Sequence, residues 1–336
     1  MQAQTFSTFL AKTQRYFSSA DHDGLPRVLN DVASACIKIS SIVRLGALAG
    51  TSGSLASTNT HGETQQVLDL ESNRIFLEAG QISGLIAGMA SEEMEQPFIE
   101  NHQQKGRYLL VFDPLDGSSN ISLNLSVGSI FSILRCPDGV EVPALQDFLQ
   151  PGSQQVAAGY ALYGTSTMLV ITTGQGVNGF TLDDALGEFV LTHPDMAIPH
   201  EAKEFAINMS NQRFWELPVQ RYIAECLAGV EGVRGKDFNM RWVASMVAEV
   251  HRILVRGGIF MYPVDEKTRE RGGRLRLLYE ANPMAFIIEQ AGGLASTGYE
   301  PMMGVQPLSL HQRVGVILGS KVEVERVVAY HHQQQD

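Results

Sequence analysis

Five consecutive apolar positions, Tyr108 to Phe112, run into Asp113-Pro114-Leu115-Asp116 and then Gly117-Ser118-Ser119-Asn120. An apolar run without polar alternation predicts a strand buried on both faces. Elsewhere the period is helical. Val28, Leu29, Val32, Cys36, Ile39, Ile42 and Val43 give Pro26–Leu48 one buried face. Val243, Met246, Val247, Val250, Ile253 and Leu254 predict a helix over Arg241–Arg256, stopped by Gly257-Gly258 before a strand at Ile259–Tyr262. Another helix is predicted over Val219–Ala228, and residues 77–89 read as helix followed by an apolar passage. The pieces 127–134, 156–163, 167–173, 176–182 and 187–193 read as strands of a largely antiparallel, hairpin-linked sheet. Arg274–Tyr279 alternates, then Asn282 as N-cap and Pro283 as first helical residue predict a helix that Gly292 and Gly293 end. Residues 1–20 suggest a short helix and linker, 49–64 a small polar loop, and His331–Asp336 a frayed tail. A boundary near Ile198–Glu204 divides the chain into 1–197 and 198–336.

With 336 residues the chain is long enough for two domains, and its formal net charge of −11 argues against nucleic acid or an anionic membrane as main partner. No run approaches a membrane span, and the N-terminus shows no secretory pattern. Cys36, Cys136 and Cys226 are odd in number and widely spaced, which fits a reducing cytoplasm better than a disulfide framework.

The chemistry gathers behind the buried strand. Hard divalent cations take carboxylate and carbonyl oxygens, and a phosphate takes backbone N–H groups that glycine lets come close. Pro114 fixes its own φ and restricts Asp113, so both aspartates can face one point. An Asp-x-x-Asp alone is more often a turn; the full octet after a buried strand favours a metal–phosphate site. Glu92-Glu93 reads as a solvated face or as a pair of ligands, and Glu280 sits at a strand-to-helix junction. Asp69, alone in a helical stretch, reads as a solvated surface charge.

DPLDGSSN resembles the signature of the class I fructose-1,6-bisphosphatases, within the magnesium-dependent sugar and inositol phosphatases. AAGYALYG (157–164), SMVAEVHR (245–252), GGIFMYP (257–263), RLRLLYEANPMAF (274–286) and EQAGG (289–293) fall in the family's order and spacing. The resemblance implies a layered αβαβα fold of mixed sheets with helices between. It implies metal ligation by Glu92, Asp113, Asp116, Glu280 and the Leu115 carbonyl. An all-oxygen set favours two or three Mg²⁺, with Mn²⁺ possible, over zinc. It gives Asp69, with Glu93, the activation of water, and Asp116, Gly117, Ser118 and Ser119 the contacts to the reacting end of the substrate. Asn208, Tyr262, Arg274 and, from a neighbouring subunit of a homotetramer, Arg241 would hold a second phosphate.

Three departures stand out. Arg274 replaces the usual lysine, Trp242 the usual tyrosine, and Asn211 lacks its usual tyrosine neighbour. The family's AMP-binding threonines fall at His22 and Pro26, while Arg107, Tyr108 and Arg135 match, which implies weak or absent AMP inhibition. The implied reaction is hydrolysis of fructose 1,6-bisphosphate to fructose 6-phosphate, in gluconeogenesis or carbon fixation. Sedoheptulose 1,7-bisphosphate is the alternative substrate, and a non-catalytic sugar-phosphate sensor a more distant one. The missing Trp-Asp motif disfavours an inositol monophosphatase, and the missing dinucleotide glycine pattern a dehydrogenase.

Overall fold

The computed structural model describes residues 4–16, 24–49, 54–58, 64–99 and 106–333. Its N-terminal part runs α1 (Phe6–Thr13), α2 (Leu25–Leu45), a pair β1 (Ser54–Thr58) and β2 (Thr64–Gln66), and α3 (Val67–Ile82). Then come β3 (Ile86–Ser91), β4 (Phe98–Ile99), β5 (Tyr108–Asp116), β6 (Val127–Arg135), α4 (Leu145–Phe148) and β7 (Gln155–Tyr163). The meander continues through β8 (Thr167–Thr172), β9 (Val177–Asp183) and β10 (Glu188–Met196). The C-terminal part holds β11 (Glu204–Ala206), α5 (Leu217–Leu227), β12 (Asn239–Met240), α6 (Met246–Arg256) and β13 (Ile259–Tyr262). It closes with β14 (Leu275–Arg276), α7 (Asn282–Gln290), β15 (Leu294–Ser296), β16 (Arg313–Val314), β17 (Val316–Gly319) and α8 (Lys321–His332).

An eight-stranded sheet, ordered β10-β9-β8-β7-β6-β5-β3-β4, is antiparallel except for the β3–β5 pair. A five-stranded mixed sheet is ordered β12-β11-β13-β17-β15. The alternation of side chains sorts the layers. Phe131, Ile133, Ala157, Ala161, Leu169 and Ile171 face the core of α1, α2 and α3. Ile130, Ala158, Tyr160 and Val170 face the opposite way, onto α6 and α7. Phe260, Val316 and Leu318 of the second sheet meet the same two helices, while Ile259, Met261 and Ile317 pack under α5 and α8. The order is therefore helix, sheet, helix, sheet, helix, with α6 and α7 apolar toward both neighbours. Among the described residues, no helix is long and apolar enough to cross a membrane.

Five local expectations change, one of them at the C-terminus, where α8 runs through His332 and buries His331 instead of leaving it in a frayed tail. The strand from Tyr108 does not stop at Phe112 but carries through both aspartates, with its pairing to β6 shifted between Asp113 and Asp116. The helix expected from Arg241 starts at Met246, because Ala244 sits at φ 60 and Ser245 caps the Ala248 N–H. Asn282 is not an N-cap: Leu277–Ala281 already winds as a wider π turn, whose start is held by Arg276 N–H donating to Glu280 Oε2 at 2.5 Å. Within the expected loop 49–64, residues 54–58 form β1; most of the rest lies outside the described residues, as does His22.

Gly128 of β6 is where α6 touches the first sheet, since a Cβ there would lie 2.6 Å from both the Ala161 carbonyl oxygen and Val247 Cγ1. Gly128→Ala is expected to lower stability by about 1–3 kcal/mol through overpacking. Denaturant titration checks the loss.

Candidate active site

The corner at the end of β5 is shaped by backbone constraints. Asp113 Oδ1 accepts the Leu115 N–H at 3.0 Å, which fixes its side chain against the following turn. Gly117 takes φ 77, and a Cβ there would meet Ser245 Cβ at 2.8 Å, so only glycine fits. Residues 118–123 then form a 3₁₀ turn. Inside it the Asn120 amide donates to the Ser126 and Val243 carbonyls, tying the turn to the segment before α6.

Asp116 points at the N-terminus of α6. Its carboxylate accepts from Ser245 Oγ at 2.6 Å, Val247 N–H at 2.9 Å and Met246 N–H at 3.1 Å. Helix starts favour negative charge because their N–H groups are unpaired. Asp113, Asp116 and Glu280 each offer an oxygen within 4.8 Å of one another, and all three are buried. Glu92 follows β3 and donates its N–H to the Phe112 carbonyl; its carboxylate is hydrogen-bonded to Asp113 and paired with Arg276 at 2.8 Å.

Burial, then the charges of Glu92, Asp116 and Glu280, hold the Asp113 carboxyl well above the usual range. Burial and Glu92 push Glu280 up to about 8, against the opposing pull of Arg276. Burial also raises Asp116, but its three donors draw it back. The corner thus gathers more negative charge than Arg276 can balance.

A cavity of about 510 Å³ opens over this corner. It is lined by Glu92, Glu93, Asp113, Leu115, Asp116, Gly117, Ser118, Ser119 and Glu280, and also by Asn208, Tyr262 and Arg274. Two residues singled out from the sequence do not line it. Asp69 lies in the first turn of α3 and is buried, which corrects the reading of a solvated charge. Arg241 is exposed beside β12, its N–H bonded to the Phe205 carbonyl. Asn208 Oδ1 accepts Ser210 N–H at 3.2 Å and Ser210 Oγ at 2.6 Å, which leaves its amide nitrogen without a part in this cap. Trp242 stacks on Phe260 at 6.2 Å and 3°, and meets Tyr262 edge-on at 5.8 Å, forming an apolar wall. Arg107 and Arg135 border a separate cavity of about 350 Å³. Sequence reasoning missed Ser245 and Arg276. Ser245 was legible as the helix-capping residue type; nothing in the pattern marked Arg276.

The family model for the fructose-1,6-bisphosphatase N-terminal domain matches residues 4–194, and that for the C-terminal domain matches 198–332. The chain belongs to the fructose-1,6-bisphosphatases. A curated class 1 fructose-1,6-bisphosphatase of Hydrogenophilus thermoluteolus is 57% identical over 330 residues, covering 98% of this chain and 92% of that protein. The crystal structure of the Leishmania major fructose-1,6-bisphosphatase in holo form is similar at a TM-score of 0.91 and 36% identity. The match covers 99% of this chain and 100% of that one.

The corner of this bisphosphatase suits a divalent metal on its own chemistry. Buried carboxylates with raised proton affinity and one cationic partner are an uncompensated charge, which a hard cation removes. In metal-free protein the raised Glu280 and Asp113 favour folding while protonated. That contribution is fully present below the unfolded carboxylate range and is lost as pH rises through the folded values, about 8 for Glu280. Chelated protein should therefore show a thermal midpoint that falls as pH rises from about 5 to about 8. The stabilisation gained on adding Mg²⁺ should grow over the same interval, measured by calorimetry. Ser245→Ala, which removes one donor to Asp116, should cost about tenfold in kcat with little change in KM.

Proposed function

We propose that this protein hydrolyses the 1-phosphate of fructose 1,6-bisphosphate, giving fructose 6-phosphate and inorganic phosphate. The observation that carries the reading is one cavity lined both by an acidic, oxygen-only corner with a glycine-opened turn and by Asn208, Tyr262 and Arg274. A sugar bearing two phosphates meets in such a lining both metal-type oxygens and phosphate donors.

The residues divide the work as follows. Glu92, Asp113, Asp116, Glu280 and the Leu115 carbonyl hold Mg²⁺, or Mn²⁺ in its place. When bound, these ions offset the negative charge of the phosphate and favour ionisation of water. The N–H groups of Gly117, Ser118 and Ser119 orient the 1-phosphate, and Asp116 also contacts the sugar end. Asp69, with Glu93, takes the proton of the attacking water. The P–O bond to C1 breaks as the water oxygen bonds to phosphorus, and the departing oxygen is protonated. Asn208, Tyr262 and Arg274 hold the 6-phosphate, joined by Arg241 of a neighbouring subunit in a homotetramer. The unpaired state of Cys36, Cys136 and Cys226 accords with a cytoplasmic protein.

Sedoheptulose 1,7-bisphosphate stays a second candidate on one observation: Trp242, packed on Phe260 and Tyr262, presents an apolar face where a hydroxyl donor is usual. Phosphate release from both sugars, measured with Mg²⁺, separates them; a higher kcat/KM for the fructose ester is expected. Glu280→Gln and Asp69→Ala should each cut kcat by at least about 10²-fold. Arg274→Ala should chiefly raise KM. Tight binding of either sugar without turnover would reject the enzyme reading.

A further inference from the structure

β5 and β6 pair in register from Tyr108↔Arg135 to Asp113↔Ile130, and resume one position out at Asp116↔Gly128. Pro114 and Leu115 therefore stand opposite the single residue Ser129, which is a β-bulge. Proline contributes no N–H, and the bulge takes its carbonyl out of the regular ladder. A buried carbonyl needs a donor from somewhere. Ser129 Oγ supplies it, donating to the Pro114 carbonyl at 2.7 Å.

Ser129 is itself held. Its Oγ lies 2.8 Å from the Tyr163 hydroxyl on β7. Proton counting gives the chain one direction. The only Ser129 hydroxyl proton goes to a carbonyl that can only accept, so Tyr163 donates to Ser129. Ser129 is fully buried and Tyr163 is 5% exposed, so water does not stand ready to replace a lost member.

We infer that Ser129 and Tyr163 are positioning residues for the metal corner. They fix the bulge that aims the Asp113 and Asp116 carboxylates and the Leu115 carbonyl at one point. The inference rests on the reading that this corner holds divalent ions. It adds that the ion affinity of the corner is set partly from β6 and β7, the strands beside the one that carries the aspartates.

The test is Mn²⁺ binding to the purified full chain, followed by the electron paramagnetic resonance signal of the free ion. Ser129→Ala should bind about tenfold more weakly than wild type. Tyr163→Phe, which keeps the ring and removes only the hydroxyl, should weaken binding in the same direction. Ser40→Ala is the control: Ser40 Oγ forms an equally buried hydrogen bond with Thr167 Oγ1 at 2.6 Å, between α2 and β8, the strand next to β7. It should lower the thermal midpoint without changing Mn²⁺ affinity. If Ser129→Ala does not fold, Tyr163→Phe decides. Wild-type affinity in the folded variants overturns the positioning role alone, and equal weakening in Ser40→Ala reduces it to general stability and also overturns it. Failure of wild type to bind Mn²⁺ overturns the metal reading and this inference together.

Discussion

The grip of the α6 N-terminus on the Asp116 carboxylate is the contact on which the site depends. Asp116 closes the long strand of the first sheet, whereas α6 belongs to the layer shared with the second. Three donors from Ser245, Met246 and Val247 meet one carboxylate, so the first sheet and the middle helix layer are fixed to each other where the cavity opens. Val243 strengthens the same junction. Its carbonyl accepts from Asn120, and its N–H donates to the fully buried Glu249, which Arg252 neutralises. Ala244, between these anchors, is held at a positive φ that alanine seldom adopts.

The corner also shows how acidity is concentrated without unfolding the protein. Each carboxylate is built onto a segment with strong reasons of its own to be there. Asp113 and Asp116 flank a proline bulge in a fully buried strand, Glu92 extends β3, and Glu280 sits in a π turn under α7. The hydrophobic layers on either side bear the electrostatic cost, and Arg276 relieves part of it.

The layered fold was legible wherever burial imposed a period. The β6–β10 meander, α2 and β13 lie near where apolar spacing predicts them, because each buries one or both faces. Failures occurred where a polar contact overrides the pattern. Val243 fits the α6 periodicity yet precedes the helix, because Asp116 takes the first N–H groups and Ala244 turns the chain. The Leu277–Ala281 winding follows from a side chain reaching back to Arg276 N–H, which alternation cannot announce. As for the site, the Asp113–Asn120 octet carried its chemistry openly. That Glu92 and Glu280 meet it, and that Arg274 shares its cavity, could come only from resemblance, because separation along a chain holds no distance. The buried polar supports, Ser129, Tyr163 and Ser245, are single common residue types whose importance lies wholly in what faces them.

The middle layer has one more consequence. Met246, Val250 and Ile253 of α6, with Met284, Ala285 and Ile288 of α7, share one core that reaches both sheets. Cutting the chain in the connection between β10 and β11 would leave each piece with a bare greasy face whose only matching cover is the other piece. Such halves should be poor at living apart and good at finding one another. The protein is thus a natural candidate for reconstitution from split fragments, with recovered catalysis reporting their reunion.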